Sequence, residues 1–113
     1  MQKVTLICVG KLKEKFYQAA CGEYLKRLSR YCKLELLELS EERLPEDPSD
    51  AQIEAALARE AEAIRGKLPS SAPLIALCVE GTPRSSESLA ALMSTWANQG
   101  ESQLVFVIGG SFG

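Results

Sequence analysis

The run Leu104-Val105-Phe106-Val107-Ile108 constrains this chain more than any other stretch. Five consecutive apolar residues, four of them β-branched or aromatic, read as a strand buried on both faces. A strand of that kind sits in a sheet with helices packed against either side. Gly109-Gly110-Ser111-Phe112-Gly113 follows at once. Three glycines in five positions predict a loop whose backbone takes positive φ or lies close against something. Strand carboxyl ends that open into glycine loops are where open α/β sheets bind ligands.

Three further strand-like runs precede this one, each separated from the next by a stretch of helical periodicity. Val4 to Val9 is the first strand, closed by Gly10, with Lys11-Leu12-Lys13 as a polar connection. A helix over Glu14 to Leu28 carries Phe16, Ala20, Tyr24 and Leu28 along one stripe, widened by Tyr17, Cys21 and Leu25. Leu34 to Leu39 alternates only in part, which predicts a more exposed face or an edge position. Ser40 to Pro48, with two prolines and four acids, reads as loop. Ser49 is the N-cap of the next helix and Gln52 completes a capping box. That helix turns Ile53, Ala56, Leu57, Ala61, Ile64 and Leu68 inward and Glu54, Arg59, Glu60 and Glu62 outward, stopping near Gly66 and Pro69. Leu74 to Val79 is the third strand, an unbroken apolar run turned by Glu80-Gly81-Thr82-Pro83. Ser85 or Ser86 caps a third helix with Leu89, Leu92, Met93 and Trp96 facing in, ended by Asn98-Gln99-Gly100. The order β-α-β-α-β-α-β predicts an α/β fold with a mainly parallel sheet and right-handed crossovers.

With 113 residues, 46% hydrophobic and 25% charged, the chain has the composition of one ordinary globular domain. No stretch approaches the roughly 18 apolar residues of a membrane span, and the N-terminus carries no signal-peptide pattern. A cytoplasmic protein with no membrane association is expected. The four cysteines form no C-x-x-C pair, and the absence of histidine excludes a mixed cysteine–histidine zinc site. Cys8, Cys21, Cys32 and Cys78 are expected to be buried, reduced thiols. The net charge of −2 is unevenly spread. Residues 1–33 hold eight basic side chains, Lys11, Lys13 and Lys15 among them, against Glu14 and Glu23. A surface for a polyanion and a pair of differently solvated helices both fit that asymmetry.

Several chemistries are excluded. Val9-Gly10-Lys11-Leu12-Lys13 has one glycine where a dinucleotide fingerprint needs three, no P-loop run exists, and a Ser-His-Asp or Cys-His arrangement cannot be built without histidine. Among the carboxylates, only Glu80 is expected at a strand carboxyl end, the others lying on solvated helix faces or in the acidic loop. Two strand ends remain, Leu77-Cys78-Val79-Glu80-Gly81 and Ile108-Gly109-Gly110-Ser111. In a parallel sheet both open on one rim, where a small ligand could lie against backbone groups. Gly81 serves equally well as a turn residue.

Val9-Gly10-Lys11-Leu12-Lys13-Glu14-Lys15, Leu77-x-Val79-x-Gly81, Ser85-Ser86-Glu87 and Phe106-Val107-Ile108-Gly109-Gly110-Ser111-x-Gly113 occur here in one order and spacing. Jointly they resemble the SPOUT-class methyltransferases that modify pseudouridine at N3 in 23S ribosomal RNA, the RlmH family. The resemblance spans the whole chain. It implies a homodimeric, S-adenosylmethionine-dependent enzyme acting on 23S rRNA in the ribosome, with the cofactor held in a trefoil knot. The family's cofactor contacts map onto Leu77 and Gly109. By the same resemblance the chain is expected to be a single α/β domain corresponding to the N-terminal two-thirds of the family, with the knot segment and the catalytic group beyond Gly113. S-adenosylmethionine binding by the 113 residues is then expected to be weak or absent. A non-catalytic α/β module, holding a small ligand or protein at the Gly81/Gly109 rim, is the competing reading, and a structural remnant is a third.

Overall fold

The structure, a computed structural model, describes residues 2–112. Seven elements follow in the order β1 (Lys3–Val9), α1 (Lys15–Leu28), β2 (Lys33–Leu39), α2 (Asp50–Arg65), β3 (Leu74–Leu77), α3 (Ser86–Asn98) and β4 (Gln103–Ile108). The four strands make one sheet in the order β2-β1-β4-β3, and every neighbouring pair is parallel. This is the α/β architecture that the alternation of periodicities requires. The registers bring Ile7 opposite Leu37 on one side and Val107 on the other, and Leu77 opposite Ile108.

The core lies along β1 and at the start of β4. Ile7, Leu104 and Val105 are each at most 1% exposed, and full burial of such side chains stabilises the fold by about 1.5–3 kcal/mol apiece. Along β1 the odd positions Thr5, Ile7 and Val9 are buried, while Leu6 and Cys8 are only half-buried. One face of the sheet is therefore well covered and the other partly open. β4 is central, as its composition requires, but burial fades along it, and Ile108 at its carboxyl end is exposed.

The helix signals hold at their N-termini. The Ser49 hydroxyl accepts the Gln52 N–H at 3.2 Å and the Gln52 side-chain carbonyl accepts the Ser49 N–H at 2.8 Å, which satisfies two of the helix's orphan donors reciprocally. Ser85 caps α3 through the Ser88 N–H at 3.0 Å. Gly100, at φ 88°, ends α3 with its N–H on the Ala97 carbonyl while the Glu101 N–H reaches the Trp96 carbonyl. That double bond pattern needs a left-handed residue, which glycine supplies without a Cβ clash.

Three expectations are corrected. β3 stops at Leu77 rather than Val79, because the Gly81 N–H bonds the Cys78 carbonyl at 3.2 Å and closes the chain into a turn two residues early. It is also an edge strand with Leu74, Ala76 and Leu77 exposed, so its unbroken apolar run does not mark double burial. The cysteines are not buried: Cys21 and Cys78 are exposed and Cys8 and Cys32 half-buried, since Cys78 falls in the turn and α1 stands off the sheet. All four are free thiols. Finally, Glu60 points inward. It is buried on α2 beside Ala56, for a reason that appears at the site. The inward sets of α2 and α3 otherwise face as read, mostly half-buried.

Candidate functional site

β1 and β4 lie side by side at the centre of the sheet. From β1 the chain crosses to β2 on one side, and from β3 it returns to β4 from the other side. The loop after β4 runs over the carboxyl end of β1 toward β2, where Ser111 meets Glu41, so the glycine loop lies at the carboxyl ends of the strands, the usual ligand position in open α/β sheets. Val9-Gly10 and Ile108-Gly109-Gly110-Ser111 are the residues at that point. Leu77, at the end of β3, completes the rim on the far side of β4.

Leu77 and Gly109 are brought together as read from the sequence. Leu77 pairs with Ile108, so Gly109 lies one position beyond its neighbour across the ladder. The Leu77 side chain is 50% exposed, and Ile108 is exposed beside it. Gly81 serves its turn: a Cβ there would meet the Cys78 carbonyl at 3.2 Å and the Cys78 sulfur at 3.3 Å.

On the other side of Gly109 the rim opens into a cleft of about 540 Å³ between α1 and the sheet. Leu6, Cys8, Tyr24, Leu25 and Leu36 form its apolar walls, and Gly10, Lys13, Glu41, Gly109 and Ser111 its polar end. Gly109 lines this cleft and Leu77 does not. Burial and the nearby Glu38 carboxylate push the Cys8 thiol pKa up. Among the described residues no group of three His, Cys, Asp or Glu side chains could hold a metal.

The glycine loop is held by carboxylates. Ser111 donates both its N–H (2.9 Å) and its hydroxyl (2.7 Å) to the same oxygen, Oε1 of Glu41. These bonds, the hydroxyl's above all, hold the Glu41 carboxyl below the usual carboxylate range, with the charge of Lys13 assisting. Gly110 is the glycine that close approach requires. A Cβ there would sit 3.1 Å from Glu41 Oε1, 3.2 Å from Val9 Cγ1 and 3.3 Å from Glu60 Oε1. Glu60 reaches the loop from α2 and accepts the Glu42 N–H at 3.0 Å, so its inward turn anchors the segment that carries Glu41. Positive φ falls elsewhere, at Gly10 and Gly100.

Glu41 and Glu60 are not legible as site residues in the sequence, and the expectation that Glu80 alone stands at a strand carboxyl end is corrected. Glu41 lies two residues beyond the end of β2, so the criterion that singles out Glu80 applies to it equally. Its acidic surroundings disguise it as solvated loop.

The chain matches, over residues 2–113, the family described as "Predicted SPOUT methyltransferase". It belongs to that family. Similar curated proteins carry the name ribosomal RNA large subunit methyltransferase H. The one from Streptococcus equi subsp. zooepidemicus is 44% identical over 111 residues, which are 98% of this chain and 70% of the relative. The one from Clostridioides difficile is 44% identical over 110 residues, 97% of this chain and 69% of its own length. A relative from Limosilactobacillus reuteri is 43% identical over the same share of each. The SPOUT match makes this a methyltransferase chain, whose chemistry requires a methyl donor. Among the described residues no helix is long and apolar enough to cross a membrane.

Proposed function

We propose that the chain serves S-adenosylmethionine-dependent methylation of pseudouridine at N3 in 23S rRNA, within the ribosome and in the cytoplasm. The observation that carries this reading is the 44% identity to ribosomal RNA large subunit methyltransferases along nearly the whole chain. Leu77 and Gly109 are proposed as cofactor contacts. The exposed Leu77 and Ile108 side chains offer apolar surface beside the backbone of Gly109, and that combination suits a purine: a flat apolar face with hydrogen-bonding edges.

Bound there, S-adenosylmethionine supplies an electrophilic methyl group on a sulfonium. Transfer to the ring nitrogen would be an in-line displacement that breaks the sulfonium S–CH3 bond, leaves S-adenosylhomocysteine and gives up the N3 proton to a base. The protein's part is therefore chiefly to position donor and acceptor. Leu77 and Gly109 would fix the donor. The basic connection Lys11, Lys13 and Lys15 leaves the same rim and is exposed, which suits it to hold phosphates of the acceptor RNA. The catalytic group is proposed to lie in the part of the family sequence that the longer relatives carry and that these 113 residues do not match. In the same reading the chain is a single α/β domain whose family continues into a trefoil knot.

The homodimer belongs to the same proposal. α1 has no buried residue, and Phe16 (66% exposed) and Tyr24 (64% exposed) present their rings to solvent along one helix. A second copy could cover that face.

The reading is tested by joining these 113 residues to the remaining segment of the Clostridioides difficile relative and incubating the product with methyl-labelled S-adenosylmethionine and ribosomes lacking the modification. Label at N3 of a 23S pseudouridine is expected. A folded chimera that labels another RNA, or none, contradicts the proposal.

A further inference from the structure

Three strand ends meet at Glu41. It follows β2, its Oε2 lies 3.8 Å from where a Cβ on Gly10 after β1 would stand, and its Oε1 takes both donors of Ser111 after β4. Seventy residues separate Glu41 from Ser111. Two donors from one residue on one acceptor fix that residue's orientation, not only its distance. Glu41 is itself supported: the buried Glu60 on α2 accepts the N–H of Glu42, and Arg59 pairs with the Glu42 carboxylate at 3.2 Å. Gly110 sits between Glu41, Val9 and Glu60, where a Cβ would fit only if these side chains gave way by a few tenths of an ångström.

We propose that Glu41 is a positioning residue for the methyl donor: with Glu60 behind it, it clamps Gly110 and Ser111 and so holds Gly109 in place as the cofactor wall. The inference rests on the cofactor reading above. Glu41 makes no contact with the donor in this account and acts through the loop. The hydrogen bonds of its Oε1, rather than its charge, do the positioning, because both Ser111 donors converge on that one atom.

The test is a titration of the ¹⁵N-labelled chimera described above with S-adenosylmethionine into the millimolar range, read at the Gly109, Gly110 and Ser111 amides. Wild type, Glu41→Ala, Glu41→Gln and Ser111→Ala are compared. Wild type is expected to shift saturably and Glu41→Ala to bind at least fivefold more weakly. Glu41→Gln should return to within about twofold of wild type, since a side-chain amide oxygen can accept the same two bonds. Ser111→Ala, which keeps its amide, should fall between. Glu41→Ala binding like wild type overturns the inference and leaves the cofactor reading standing. Equal losses in Glu41→Ala and Glu41→Gln also overturn it, by assigning the effect to charge. No response in wild type contradicts the cofactor reading and the inference with it.

Discussion

Single residues at this site act through reach and protonation. Because Ser111 lowers the folded-state pKa of Glu41, the clamp contributes stability that is fully present above the unfolded value of 4.5 and is lost as pH falls through the lower folded value. The Ser111 amide proton is therefore expected to titrate with an apparent pKa below 4.5 and to lose that titration in Glu41→Ala, measured by NMR between pH 2 and 7. A wild-type amide that is flat across this range contradicts the bond. Gly110→Ala should cost about 1–3 kcal/mol in urea unfolding, because the added methyl meets three atoms inside 3.4 Å. A neutral Gly110→Ala would mean the carboxylates move aside freely. The thiols offer a further check. Cys8, half-buried with its pKa raised, should be the slowest cysteine to alkylate at pH 8, behind the exposed Cys21 and Cys78. Mass spectrometry of a timed iodoacetamide reaction reads that order directly.

At the scale of elements, the parts written in local chemistry are legible in the sequence and the parts decided by neighbours are not. Ser49 with Gln52, Ser85, and the Asn98-Gln99-Gly100 stop mark helix ends through bonds within a few residues, and all three act as read. The apolar run of β4 announces a central strand and a glycine loop, and its pairing with β3 brings Leu77 beside Ile108 as the shared rim requires. β3 has the same apolar composition yet lies at an edge, because periodicity reports which residues avoid water and not which strand lies alongside. Glu60 departs from its pattern for a related reason. A carboxylate on a helix is ordinarily solvated, and only the backbone N–H of Glu42, eighteen residues away, offsets the cost of its burial. The local signals carry measurable energy: Ser49→Ala should lower stability by about 1 kcal/mol by removing one half of the capping box. An unchanged unfolding midpoint would show that α2 is held by packing alone.

Across the whole molecule, coverage of the sheet is uneven. The face carrying Ile7 and Val105 is closed, whereas the face toward α1 opens into a cleft and leaves aromatic rings in solvent. Truncating Ile7 to Ala should cost about 2–5 kcal/mol, while Phe16→Ala should stay within about 0.5 kcal/mol in the isolated chain. The basic stretch at the rim makes a separate claim. Reversing the charges of Lys11, Lys13 and Lys15 should weaken rRNA binding and reduce its dependence on salt, by about one unit of log–log slope for each phosphate no longer neutralised. Unchanged affinity and slope would reduce these lysines to a solvated surface.

The methyl donor sits either on the β3–β4 rim or in the apolar cleft beneath α1. Ultraviolet crosslinking of methyl-labelled S-adenosylmethionine at saturating concentration, followed by peptide mapping, addresses that directly. Label is expected in the peptides containing Leu77 and Gly109, the two ends of the β3–β4 rim. Label confined to the Cys21–Leu25 stretch of α1, inside the apolar cleft, would contradict it.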